Sequence, residues 1–118
     1  MNESMFRTAL DRGDLKIKAA AMLVASKYKD KYLDELIDQT TNEDIIVNQC
    51  ARHSLIQISN LYIGGRNYVD FGPLMCHHTT TKNAASILWK AWFEQAKLAQ
   101  KEGKKPQVPQ PSSKQKSK

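Results

Sequence analysis

The sequence predicts an all-α chain, a small helical bundle around one long central helix that contains a helix-turn-helix. Three observations carry that expectation. Apolar residues recur at spacings of three and four from Val47 to Tyr62 and again from Ala84 to Gln95. No stretch alternates apolar and polar residues as a half-buried strand does. Capping residues and glycines fall where the apolar runs begin and end. At 118 residues the chain has room for one such domain.

Taken from the amino end, Ser4 to Leu10 reads as a short helix, followed by Gly13-Asp14 as punctuation. Asp14 is placed to cap a longer helix reaching about Tyr28, with Leu15, Lys18, Ala19, Met22, Leu23, Val24 and Lys27 along one face. After a break near Lys29-Asp30-Lys31, Tyr32, Leu36 and Ile37 predict a short helix over 32–38. Thr41-Asn42-Glu43-Asp44 is a start signal, because an oxygen acceptor is followed three residues later by a carboxylate just before an apolar run. The central shaft should run from there over 44–62. Val47, Cys50, Ala51, Ser54, Leu55, Ile58, Leu61 and Tyr62 lie along its buried side, and Gly64-Gly65 closes it with a left-handed residue.

Asn67, with Asp70 three positions on, then predicts a single helical turn over 69–72, cut short by Pro73, with Phe71, Leu74 and Met75 turned inward. The last helix is expected from His78 or Thr79 to about Lys101. Its buried side is Ala84, Ile87, Leu88, Ala91, Trp92 and Gln95, with Trp89 and Phe93 on a neighbouring, partly exposed face. The aromatic cluster has two readings, core or partner-facing patch. The chain divides into an N-terminal extension (1–13), a helix-turn-helix domain (14–100) and a disordered Lys-rich tail (101–118).

The formal charge of +6 is uneven: residues 1–100 carry 12 Lys and Arg against 11 Asp and Glu, whereas residues 101–118 carry 6 Lys against Glu102 alone. A near-neutral body gives little attraction for a duplex, and the tail supplies most of it. The tail also has a plainer reading, as a solubilising end. No run reaches the roughly 18 apolar residues of a membrane span. Met1 to Arg12 lacks a signal-peptide core, and Cys50 and Cys76 make no disulfide framework. A soluble, cytoplasmic protein with no membrane partner is expected.

Chemistry is not. The sequence has no glycine-rich phosphate loop, no paired carboxylates set for acid-base work and no Ser or Cys beside a base by spacing. Cys50-x-x-His53 with Cys76, His77 and His78 offers zinc-ligand types, but the spacing matches no zinc signature. The expectation is a non-enzyme without metal or cofactor.

The most informative stretch is Asn67 to Ala84, read as a helix, a tight turn and a second helix whose first residues are small or polar. A helix that meets the major groove with its first turn needs hydrogen-bonding side chains there, and His77, His78, Thr79, Thr80 and Lys82 supply them. The plainer reading is that the histidines and threonines cap a helix start.

The order of elements resembles the C-terminal DNA-binding domain of the bacterial replication initiator DnaA, one of the tryptophan-repressor-like helix-turn-helix folds. Val24 to Tyr28 followed by Asp34-Glu35-Leu36-Ile37 resembles that family's first helix and the short segment after it. Ile45-Ile46-Val47-Asn48-Gln49 resembles the opening of its long helix. Tyr68-Val69-Asp70-Phe71-Gly72 and then Cys76-His77-His78-Thr79-Thr80-Thr81 resemble its "L-P-E-I-G" and "R-D-H-T-T-V" blocks, with Ala84 matching an alanine beyond. About 75 residues, from Ala20 to Gln95, are covered.

The resemblance implies that His78 and Thr79 contact bases and that Thr80 contacts a phosphate or base. His77 stands where the family has an aspartate, and Cys76 where it has an arginine, so the preferred base should change. The family's basic loop is here Asp38, Glu43 and Asp44, with no Lys or Arg from Gln39 to Ala51. Either the chain docks without that loop, leaning on Arg66, Lys82 and the tail, or it keeps the fold without binding a duplex.

The functional expectation is a small sequence-preferring DNA-binding protein of a bacterium or phage, a transcription or replication regulator. It would read double-stranded DNA with the helix starting near His77, with Arg66, Asn67 and Thr80 on phosphates and His77, His78, Thr79 and Lys82 on bases. The alternative is a helical protein-interaction or structural component, such as a virion or packaging protein, acting as a homo-oligomer or with a protein partner.

Overall fold

The computed structural model describes residues 3–12, 14–73 and 79–108. Five α-helices follow in order: α1 (Glu3–Arg12), α2 (Leu15–Val24), α3 (Leu33–Gln39), α4 (Ile45–Ile63) and α5 (Thr79–Lys101). A turn of 3₁₀ helix, Ala25–Tyr28, extends α2. No strand occurs among the described residues, as the periodicity predicts. None of the described helices is long and apolar enough to cross a membrane.

Several helix ends have a local cause. Asp14 Oδ1 accepts the Ile17 N–H at 2.9 Å and starts α2. Lys29, at φ 60°, breaks the chain direction after the 3₁₀ turn, where the sequence places the break. The shaft is capped by Asp44, whose Oδ1 accepts the Val47 N–H at 3.0 Å, and not by Thr41, whose hydroxyl donates to Asp38 O. At the far end Gly64 adopts φ 90° and its N–H reaches Asn60 O at 2.7 Å, a left-handed position where a Cβ would be strained. At the end of α5, Gly103 (φ 74°) donates to Gln100 O and Lys104 donates to Ala99 O, a Schellman closure.

α4 is the axis of the bundle, contacted by α2, α3 and α5, with α1 laid against α2. Its inner face is Val47, Ala51, Ser54, Leu55 and Ile58, all with no exposure, as expected from the pattern; Leu61, expected with them, is exposed. The Ser54 hydroxyl is buried with its bond made to Met22 O, so α2 and α4 are joined by a polar link as well as by packing. Phe6 of α1 is fully buried between Tyr28 and Tyr32, with ring centroids 5.1 and 4.5 Å away. Arg7 pairs with Glu35 at 2.7 Å. The first helix is therefore part of the bundle and not an extension to it.

Three further expectations need correction. Residues 67–73 form no helical turn: they are irregular, with a cis peptide between Gly72 and Pro73. The backbone groups a turn would pair internally are taken by side chains of the two long helices. Val69 N–H goes to Ser59 Oγ at 3.0 Å, Asn60 Nδ2 reaches Asn67 O at 2.8 Å, Gln49 Nε2 reaches Pro73 O at 2.7 Å and Trp89 Nε1 reaches Gly72 O at 2.7 Å. Leu74 and Met75 lie outside the described residues.

The buried face of α5 is also a different one. Ala85, Trp89, Trp92, Phe93 and Ala96 are buried, whereas Ala84, Ile87, Leu88 and Ala91 face outward. Both stripes have helical spacing, so periodicity alone could not choose; the aromatic one wins because its rings fill the gap over Tyr62 and Phe71. Tyr62 to Phe93, Phe71 to Trp89 and Trp89 to Phe93 have centroids 5.8, 5.1 and 5.8 Å apart.

Finally, the start of the Lys-rich segment is packed, not loose. Residues 104–108 double back along α5, burying Pro106 and resting Val108 on the core. Gln107 O accepts from Trp92 Nε1 at 2.7 Å, and Lys105 Nζ donates to Ile63 O at 3.3 Å. Residues 109–118 lie outside the described residues.

Candidate nucleic-acid interface

The sequence-predicted contact residues divide into three groups. His77 and His78 lie outside the described residues. Thr79 and Thr80 open α5, the 23-residue helix, which carries no acidic residue in its first turn. A helix start leaves backbone N–H groups without intrahelical partners and carries the positive end of the dipole, features that favour an anion such as phosphate where they are accessible.

Arg66 and Asn67 are exposed on the connection just after α4, next to Tyr68, itself 56% exposed. Lys82 is not where a base reader should be. It is only 8% exposed, so its ammonium is not offered to a groove, and the assignment of Lys82 as a base contact is corrected on that ground. The neighbouring Asn83 is exposed.

What holds this end of the molecule is a clamp that the sequence did not disclose. Arg52, on α4, meets the Asp70 carboxylate through both Nε, at 2.9 Å, and Nη2. Its Nη1 also reaches Gln49 Oε1 at 2.9 Å. Gln49 passes the link on to Pro73 O, and Asp70 Oδ1 accepts the Gly72 N–H at 2.9 Å. The connection is thus fastened to α4 at Asn67, Val69, Asp70 and Pro73, and to α5 through Gly72. No periodic signal reports which side chain a distant loop acid will meet, so only the tertiary structure reveals it.

Partial burial pushes the Asp70 carboxyl pKa up, but the hydrogen bonds from Arg52 and Gly72 and the Arg52 charge outweigh it and leave it below the usual aspartate value. The Arg52 guanidinium is correspondingly raised, chiefly by its bond to Asp70. A carboxyl whose folded pKa is depressed stabilises the fold above its unfolded pKa and loses that contribution as pH falls through the folded value. The clamp should therefore loosen below about pH 4. In urea melts across the acid range, Asp70→Asn is expected to be less stable than the parent at pH 7 and to converge on it as the pH falls below about 4. A constant gap down to the lowest pH would remove Asp70 from the acid response.

The acidic segment between α3 and α4 has a structural use. Asp44 caps α4, Asn42 Oδ1 accepts the Asp44 N–H at 2.8 Å, and Asn48 Nδ2 returns to Asn42 O at 2.9 Å. Asp44 is there to start the shaft, and the segment offers no cation to a duplex.

Of the zinc-ligand types in the sequence, Cys50 and His53 lie among the described residues. Cys50 is half-buried, and burial, followed by the Asp44 charge, pushes its thiol pKa up, away from the thiolate a metal needs. His53 is exposed beside Gln57. Cys76, His77 and His78 lie outside the described residues, and among those described no group of His, Cys, Asp and Glu is gathered for a metal. Comparison of the chain with protein-family models, with curated proteins and with solved structures finds no match.

Proposed function

We propose that the protein binds double-stranded DNA and presents the first turn of α5, with His77 and His78 immediately before it, to the major groove. The observation that carries the reading is the start of α5. A long helix opens at Thr79 with no acid in its first turn, behind a connection fastened to both long helices.

In this reading His78 and Thr79 meet base edges, and Arg66, Asn67 and Thr80 hold phosphates. The Lys-rich end adds sequence-independent attraction. Residues 64–118 carry 10 Lys and Arg against 3 Asp and Glu, so the half of the chain holding the start of α5 is the cationic half. Function as a transcription or replication regulator in the cytoplasm of a bacterium or a phage-infected host belongs to the same proposal.

Selection from a random duplex pool tests it. The parent should enrich a defined sequence, and joint His78→Ala and Thr79→Ala should relax that preference, at about 1–3 kcal/mol for each lost base contact. An unchanged preference would remove these residues from the interface. The second reading, a helical interaction or structural component, is favoured by the apolar outward stripe of α5.

A further inference from the structure

Residues 104–108 display how the face of α5 beneath them holds a peptide. The segment runs antiparallel to the helix: Lys104 N–H donates to Ala99 O at 2.8 Å, and three residues on Gln107 lies against Trp92 and Gln95. Residue 107 is held through its backbone. Its carbonyl accepts from Trp92 Nε1 at 2.7 Å and from Gln95 Nε2 at 3.5 Å, and its N–H donates to Gln95 Oε1 at 3.4 Å. Gln107 itself is exposed, whereas Pro106 before it is buried and Val108 after it rests on the core. Main-chain bonds at one residue, with an apolar anchor on either side, are how a groove reads an extended segment without regard to the side chain between.

The covered face continues beyond the segment that covers it. Trp92, Gln95 and Ala99 recur at three and four along α5, and Leu88, one turn before Trp92, extends the same line. Leu88 is 50% exposed, and Ala84 and Ala91 beside it are exposed too. Past Val108 the chain has no aliphatic or aromatic side chain to lay there, because residues 109–118 are Pro, Gln, Ser and Lys only.

We propose that this face is a docking site for an extended Pro-x-Val segment of a partner protein, one whose following residues are apolar and cover Leu88, and that residues 105–108 fill the site in the chain alone. The proposal holds whether or not the first turn of α5 meets a duplex. A second copy offers the same tail, with the same lack of an apolar residue after Val108, so an exchange of tails would leave Leu88 as bare as before. A partner with a leucine at that point gains its burial and displaces the resident segment. A swing at Gly103, whose φ of 74° makes the reversal, uncovers the face while α5 stays packed through Trp89 and Phe93.

Fluorescence anisotropy with a labelled peptide that copies residues 103–113 and carries Gln110→Leu tests this. Two residues past Val108 add about 6 Å of extended chain, the span of the helical turn from Trp92 to Leu88. The receptor is the full chain with Pro106→Asp plus Val108→Asp, which empties the face. It should bind this peptide saturably below about 1 mM, and the copy with Gln110 kept several-fold more weakly; Leu88→Lys in the receptor should abolish that difference. A peptide with Pro106→Asp and Val108→Asp should not bind. The parent, whose own segment competes at an effective concentration of about 1 mM, should need roughly ten-fold more peptide. Where the emptied receptor lacks the far-UV circular dichroism of the parent, the indole N–H resonance of Trp92 in the parent gives the answer: the leucine peptide should shift it and the aspartate peptide should not. No binding by the folded chain overturns the site, and equal binding of the peptides with and without the leucine overturns the Leu88 contact. A parent that dimerises, and loses the dimer with Pro106→Asp plus Val108→Asp, would give the face to a second copy and overturn the partner.

Discussion

Trp89→Ala should remove about a third or more of the stability of a domain of this size, the largest loss expected of any single substitution here. The indole is fully buried, stacks on Phe93, meets Phe71 edge-on and donates to Gly72 O. Truncating a buried tryptophan costs about 3–5 kcal/mol through lost transfer energy and the cavity left behind. A domain of this size has only about 5–15 kcal/mol in total. Because the same side chain fastens residue 72 to α5, the loss should also release the connection before the helix. Urea denaturation gives the magnitude, and Trp89→Phe separates the two effects: it keeps a ring in the stack but leaves the Gly72 carbonyl without its donor. The cost of that change should be smaller, about 1–3 kcal/mol. A Trp89→Ala protein within about 1 kcal/mol of the parent would mean that α5 is not held by its aromatic face.

Two truncations should differ sharply although both remove lysines. Ending the chain after Glu102 takes away Gln107 O, leaving the Trp92 indole N–H without its acceptor, and uncovers the sites of Pro106 and Val108. An unpartnered buried donor alone costs about 1–3 kcal/mol, so this truncation should lower the urea midpoint measurably. Ending it after Val108 leaves those contacts in place and removes Lys114, Lys116 and Lys118. Stability should then be unchanged, while the salt slope of duplex binding falls by up to about 3, at roughly one unit per phosphate contact. Equal stability losses in the two would show that the strap over 104–108 contributes nothing of its own.

The helical framework was legible because it rests on local signals. Asp14, the shaft from Val47 to Ile58, Gly64 and the short helix near Leu36 are where capping, periodicity and glycine chemistry place them. What escaped the sequence depends on pairings between distant residues. Asn67 and Asp70 look like helix-start residues, yet Asp70 is engaged by Arg52, and the backbone around it by Ser59, Asn60 and Trp89. α5 offered two apolar stripes, and the outward one gave the stronger aliphatic pattern. The choice was made by the fit of Trp89 and Phe93 to Tyr62 and Phe71.

Composition likewise could not separate the packed strap from the rest of the Lys-rich end. One buried proline and one carbonyl accepting from Trp92 make the difference. Of the expected contact residues, Lys82 is the one its burial removes, a position that residue type alone marked as a cation available to DNA.

The most direct test of duplex recognition is the affinity of the full chain for the selected duplex, measured by fluorescence anisotropy at two salt concentrations against an unrelated duplex of equal length. Binding should weaken steeply with salt for both, with the selected sequence retaining a preference that joint substitution of His78 and Thr79 by alanine abolishes. No binding to either duplex at low salt, with the protein folded, would contradict it.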